Sequence, residues 1–347
     1  MIQHGARLFA IDESGPPYEL DPVTLETVGP APVALDPEPG SIKAHTKIDA
    51  RTGDWILLGW TSGASTELDV IVHDRDGHLK SRVKTPAPRG GYIHDFLATE
   101  GYVVVNLHAV EMKPLPMLAG LRSVTDSLKW KPELGNLVMV IDKNGERDAR
   151  VFEAPAAWMW HALNAYEQGG TIIADFVGFD HPDRFLGKDA ALNEIMHGRT
   201  GRADEPGTLR RYVIDLDGGG LRQERLADGN FEFPMVSPRD ACHAHEIGYA
   251  CVGDQGTIFH DGLARFDLKR GGTSSFRFGS GFQVGEPVVA PAGNGGEGWL
   301  LSLVLEGATR RSFVAVFDAA DLPAGPLAKV HLRHHSPYSF HGCWQSA

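Results

Sequence analysis

The sequence predicts an all-β fold, and two observations carry that prediction. Short apolar runs rich in β-branched residues recur at intervals of roughly 8 to 12 residues, and the breaks between them carry hairpin-turn chemistry. In order, the runs are Asp54–Trp60, Leu68–His73, Gly101–Leu107, Asn136–Ile141, Thr171–Asp175, Arg211–Leu216, Gly262–Leu268, Trp299–Leu305 and Ser312–Phe317. The turns between them include Arg51-Thr52-Gly53-Asp54, Asp74-Arg75-Asp76-Gly77, Asp142-Lys143-Asn144-Gly145 and Glu167-Gln168-Gly169-Gly170. This spacing suits a sandwich, a barrel or a propeller. A phrase with the sense "apolar strand, Asp, turn" also recurs, as VIVHDRDG, VMVIDKNG, YVIDLDGG, ARFDLKRG and VAVFDAAD, in the manner of the closing hairpins of propeller blades. Two stretches, Pro114–Lys131 and His181–Arg202, break the rhythm and are expected to be excursions that cap one face, where binding loops usually sit.

Composition narrows the function. The chain has 347 residues with 45 Asp+Glu against 33 Lys+Arg, a net charge of −12, which argues against a nucleic-acid binder held by a basic face. Three cysteines, Cys242, Cys251 and Cys343, are too few and too irregularly spaced for a disulfide framework or a thiolate zinc site, which suits a reducing compartment. Met1 to Ala10 lacks the apolar core of a signal peptide, and no run approaches the ~18 apolar residues of a spanning helix. A soluble, cytoplasmic protein is expected. Sixteen histidines invite a search for metal.

Four histidines share a setting, each beside an apolar or aromatic strand. They are His45 in KAHTKID, His94 in YIHDF, His161 in WMWHALNAYE and His341 in FHGCW. Local metal motifs place their ligands a few residues apart, whereas these four are spread from one end of the chain to the other. They could meet only if separate strands converge on one axis, as they do in a propeller.

The phrases KAHTKID, YIHDFLAT before YVVVN, HALNAYEQG before IIAD, and the near-terminal FHGCW resemble the four iron-ligand motifs of the carotenoid cleavage oxygenases, in the family's order. That family includes the lignostilbene dioxygenases and the retinal pigment epithelium isomerohydrolase. The resemblance implies a seven-bladed β-propeller, here lacking part of its first blade or blades, with loops capping one face and residues 1–347 forming a single catalytic domain. It implies Fe(II) held by His45, His94, His161 and His341. Four neutral imidazoles leave the ion its full charge and two adjacent open positions, so O₂ can be activated beside an alkene. The implied reaction is cleavage of a C=C bond into two carbonyl products.

Glutamates that orient such histidines are the next requirement. Matching phrases place Glu13 in AIDESGPPY, Glu232 in NFEFP and Glu286 in VGEPV. Lignostilbene-cleaving members carry a Lys before the first of these, where this chain has Asp12, so an apolar carotenoid or apocarotenoid is expected ahead of a phenolic stilbene. Such a substrate needs mainly an apolar groove, and its uptake would allow peripheral membrane contact. The aromatics Phe96, Trp158, Trp160, Tyr338 and Phe340, which flank the four histidines, suit core packing or the lining of a tunnel. Cys242-His243-Ala244-His245-Glu246 could bind zinc in isolation, while His73, His78, His108, His181, His197, His260 and His331 read as surface or loop residues. The competing functional class is a non-catalytic propeller that keeps the iron site and binds a polyene or a protein.

Overall fold

The computed structural model describes residues 1–13, 15–31, 41–62, 66–112, 120–184, 186, 190–199, 201–293 and 295–345. Antiparallel strands dominate and build six sheets of four or five strands, the blades of a propeller. The first blade comprises Ile2–His4, Arg7–Ala10, Tyr18–Leu20 and Thr27–Pro30. In the second, Ser41–Ile42 and Lys47–Ile48 both pair with Trp55–Ser62, followed by Thr66–His73 and Leu79–Pro86. The third runs Leu97–Ala98, Tyr102–Leu107, Asn136–Asp142 and Arg150–Ala154, and the fourth Trp158–Gln168, Thr171–Phe179, Thr208–Asp215 and Leu221–Ala227. The fifth holds Asn230–Met235, Ile247–Gly253, Gly262–Asp267 and Gly272–Arg277. In the sixth, Phe282–Val284 and Val288–Ala290 pair with Trp299–Glu306, followed by Arg311–Asp318 and Pro326–His331.

The expectation of seven blades is therefore corrected to six among the described residues. Seven came from the family resemblance and not from a count of strands. The recurring Asp phrase marks five of these six blades, each copy being the third strand of a blade running into its last hairpin. The reason for the Asp is local. Its Oδ1 accepts turn N–H groups that the sheet leaves unpaired: Asp74 from Asp76 and His78, Asp142 from Asn144, Asp215 from Asp217 and Gly218, Asp267 from Arg270, and Asp318 from Ala320. Asp21 does the same in the first blade, accepting from Val23 and Thr24, although its short strand left no phrase to recognise.

All nine apolar runs are strands. Outer strands such as Leu221–Ala227 (LRQERLA) and Leu79–Pro86 (LKSRVKTP) went unread, because half-exposed edges carry too many polar residues to register as apolar runs. Five apolar clusters join consecutive blades: Phe9 with Trp55 and Leu57, Val70 with Val103, Val140 with Phe176, Phe179 with Phe266, and Leu263 with Phe317. Among the described residues no cluster joins the sixth blade to the first. Leu300, Ser302 and Val304 bury one face of the sixth blade against the fifth, while Leu301, Leu303 and Leu305 stay partly exposed on the other. No helix among the described residues is long and apolar enough to cross a membrane.

Candidate metal centre and its cavity

Each blade turns one chemically distinctive side chain toward the axis from its inner edge, and the backbone is irregular where it does so. His45 lies in the gap between Ser41–Ile42 and Lys47–Ile48, and Glu286 in the equivalent gap between Phe282–Val284 and Val288–Ala290. His94 precedes Leu97–Ala98. His161 and Glu232 sit in inner strands whose register slips at Met159/Ala162 and at Glu232/Met235. Such bulges re-aim a side chain that regular alternation would send to a blade face. Glu13 follows the second strand of the first blade, and His341 comes from the segment that returns to the axis after the last strand.

The structure brings all four predicted histidines together, with one ring nitrogen from each lying within 4.8 Å of the others. His45 Nε2 and His94 Nε2 are 3.2 Å apart. Two donors about 2.1 Å from one ion at a right angle would be about 3 Å apart, so this spacing suits neighbouring ligands. His161 Nε2 is buried with no hydrogen-bond partner, an orphan that a metal would satisfy.

The three predicted glutamates sit behind three of these rings. Glu13 Oε1 is 2.7 Å from His94 Nδ1, Glu232 Oε2 is 2.7 Å from His161 Nδ1, and Glu286 Oε1 is 3.1 Å from His341 Nδ1. Tyr92 donates its hydroxyl to Glu13 Oε2 at 3.0 Å, and Glu286 Oε2 accepts from the Gly342 N–H at 3.1 Å. Burial alone would raise the Glu232 carboxyl, but the charge and hydrogen bond of His161 outweigh it and hold the group below the usual carboxylate range. The effect is mutual, since burial lowers His161 and Glu232 more than restores it. Glu13 follows the same pattern, with burial offset by His94 and Lys43. Among the described residues no carboxylate stands behind His45. Burial, then the three neighbouring imidazoles, push it well below the ordinary histidine value, so it is neutral and fit to donate a lone pair.

The sequence reading missed Asp95, the residue after His94. It is buried, and Lys47 Nζ donates to its Oδ1 at 2.7 Å while the Ala162 N–H donates to its Oδ2 at 2.8 Å. One carboxylate thereby ties together the segments that carry His45, His94 and His161. Its only signal was its place in YIHDF. The His243/His245 pair is engaged by two separate carboxylates instead of a shared metal: His243 Nε2 lies 3.0 Å from Asp49, and His245 Nε2 lies 3.3 Å from Asp175. His73, His108 and His260, read as surface or loop residues, are buried instead.

Two cavities share His161 and His341 in their walls. One, of about 450 Å³, also reaches His45 and Lys47. The other, of about 660 Å³, is lined by His94, Tyr92, Trp160, Phe233, Phe259 and Phe340, and is capped by Leu186, Leu192 and Met196 of the second excursion. Its rings contact one another, with Tyr92 edge-on to Trp160 at 6.0 Å and Phe233 at 6.0 Å from Phe340. The wall beside the histidine cluster is thus largely aromatic.

A family model described as retinal pigment epithelial membrane protein, RPE65, matches residues 1–346. The chain belongs to this family, that of the carotenoid oxygenases. It is 29% identical to isoeugenol monooxygenase from Pseudomonas putida, over 100% of this chain and 74% of the relative. It is 27% identical to apocarotenoid-15,15'-oxygenase from Synechocystis, over 98% of this chain and 71% of the relative. Among solved structures, cobalt-substituted Synechocystis apocarotenoid oxygenase superposes with a TM-score of 0.90 at 25% identity, covering 100% of this chain and 74% of that one. Pseudomonas brassicacearum lignostilbene dioxygenase superposes at 0.87 with 26% identity, with the same coverage. Membership in this family makes the chain an oxygenase-type enzyme.

Proposed function

We propose that this chain is a non-haem Fe(II)-dependent dioxygenase that cleaves a C=C bond of an apocarotenoid-like or stilbene-like substrate with O₂, giving two carbonyl products. The observation that carries the reading is the cluster of four imidazole donors, three of them backed by carboxylates, in the wall of an aromatic cavity. His45, His94, His161 and His341 would hold the iron, which when bound supplies activation of O₂ beside the alkene. Both oxygen atoms of O₂ end in the products, one on each former alkene carbon, so no further reductant is required. Glu13, Glu232 and Glu286 hold the Nδ1 protons of three histidines, which points the Nε2 lone pairs inward. Tyr92, Trp160, Phe233 and Phe340 exclude water and orient the flat substrate. Residues 1–347 act as one catalytic domain in this reading.

Relatives named for apocarotenoid, isoeugenol and resveratrol oxygenation support the substrate class, and the cobalt-substituted relative supports a metal at the axis. A non-catalytic propeller gains nothing from relatives that are named as oxygenases. The test is metal content after anaerobic purification, with O₂ uptake on a panel of apocarotenoids and stilbenes. About one iron per chain is expected, lost in His161→Ala and His341→Ala together with uptake. Unchanged iron in both variants would refute the ligand set.

A further inference from the structure

The larger cavity contains a second group of polar side chains, away from the histidine cluster. His260 is fully buried, and neither of its ring nitrogens has a hydrogen-bond partner. Tyr338 Oη and Arg184 Nε are buried and unpartnered as well. All three line the cavity. Arg184 is anchored elsewhere, through Nη2 to Asn230 Oδ1 and by lying 4.7 Å over the Phe179 ring, and it acts electrostatically on both His260 and Tyr338. A buried polar group left unpaired is destabilising, so three in one wall are a feature that asks for a ligand.

Their position relative to the histidines is set by aromatic contacts. Phe233 lies 5.1 Å from the His161 ring and 6.2 Å from the His260 ring, and Phe340 lies 6.4 Å from His341 and 5.4 Å from Tyr338. The polar group is therefore one ring beyond the histidine cluster along the cavity wall. A flat substrate with its double bond at the cluster would lie along Phe233 and Phe340 and present its end here.

We propose that Arg184, His260 and Tyr338 form a subsite for a neutral terminal oxygen, a hydroxyl or a carbonyl, on the alkene substrate. The inference rests on the proposed cleavage reaction and names the substrate class more closely than an apolar polyene does. Arg184 and the Tyr338 hydroxyl donate to that oxygen, and neutral His260 either donates to it or accepts from a hydroxyl proton. Burial pushes His260 down to about 3, so the ring carries no charge at neutral pH. Glu232 lies in the same wall and offsets the charge of Arg184, which favours a neutral oxygen over a carboxylate.

Binding of trans-stilbene, 4-hydroxystilbene and 4-formylstilbene, followed without O₂ through tryptophan fluorescence of the intact protein, tests the subsite independently of turnover. The hydroxyl or the aldehyde probe should bind about tenfold more tightly than stilbene, and the one that does identifies the oxygen. Tyr338→Phe, which removes a single oxygen atom, should erase that preference and leave stilbene affinity within about twofold, with His260→Phe as the second variant. Equal affinity for all three probes, no detectable binding of the oxygenated ones, or an equal loss for all three in Tyr338→Phe would overturn the proposal. O₂ uptake on the same probes then separates the two readings: preferential binding without uptake leaves the subsite standing and removes the cleavage reaction.

Discussion

At the scale of single residues, the site is governed by which nitrogen of each ring faces the axis. The carboxylates behind His94, His161 and His341 decide that, and their geometry is unequal. Glu232 is buried and 2.7 Å from His161, whereas His341 is partly exposed and 3.1 Å from Glu286. Glu232→Gln should therefore weaken iron retention about 10- to 100-fold in chelator competition, and Glu286→Gln less. Equal effects would mean that burial of the pair does not matter. Asp95→Ala removes the acceptor shared by Lys47, Phe96 and Ala162. It should cost about 1 to 3 kcal/mol in denaturant unfolding and should also loosen the iron, because three ligand-bearing segments lose their common anchor.

At the scale of elements, the contact between the third and fourth blades contains a histidine whose protonation state is dictated by its bonds. The Met159 N–H donates to His108 Nε2 at 3.0 Å, so the proton sits on Nδ1 and is donated to the Tyr92 carbonyl at 3.1 Å. Burial, against the bond to the Tyr92 carbonyl, lowers the ring to about 4. The folded value lies below the ordinary 6.5, so the unfolded chain binds the extra proton between the two values. The stabilisation is full above pH 6.5 and is lost as pH falls toward 4, by about 3 kcal/mol at most. Unfolding free energies of the wild type and His108→Gln should converge over that window, and a constant difference would contradict the assignment. His108 was read as a loop residue because no local pattern separates a histidine that bridges two blades from one in solvent. The hairpin aspartates were legible for the opposite reason, since an Asp that accepts from N–H groups two to four residues on is a wholly local device.

At the scale of the whole molecule, the series of blades ends on a face that no described apolar cluster joins to the first blade. Adjacent leucines of one strand test this. Leu300 is buried among Phe233, Leu263 and Phe317, while Leu301 on the opposite face is partly exposed. Leu300→Ala should cost about 2 to 5 kcal/mol and Leu301→Ala less than about 1, as read from denaturation midpoints. Similar costs would show that the outer face is packed after all.

The all-β architecture, the strands of the blade interiors and the hairpin aspartates are legible in the order of residues, because strand period and turn chemistry act over a few residues. The sequence also marked His45, His94, His161 and His341, with Glu13, Glu232 and Glu286, through short motifs that resemble one family. The six blades of the described residues and the convergence of these side chains within a few ångströms emerge from the folded chain alone. So do the roles of Asp95 and His108 and the unpaired group at Arg184, His260 and Tyr338. Each of these depends on contacts between residues tens to hundreds of positions apart. Such contacts are created by blade packing, and they leave no periodic trace along the chain.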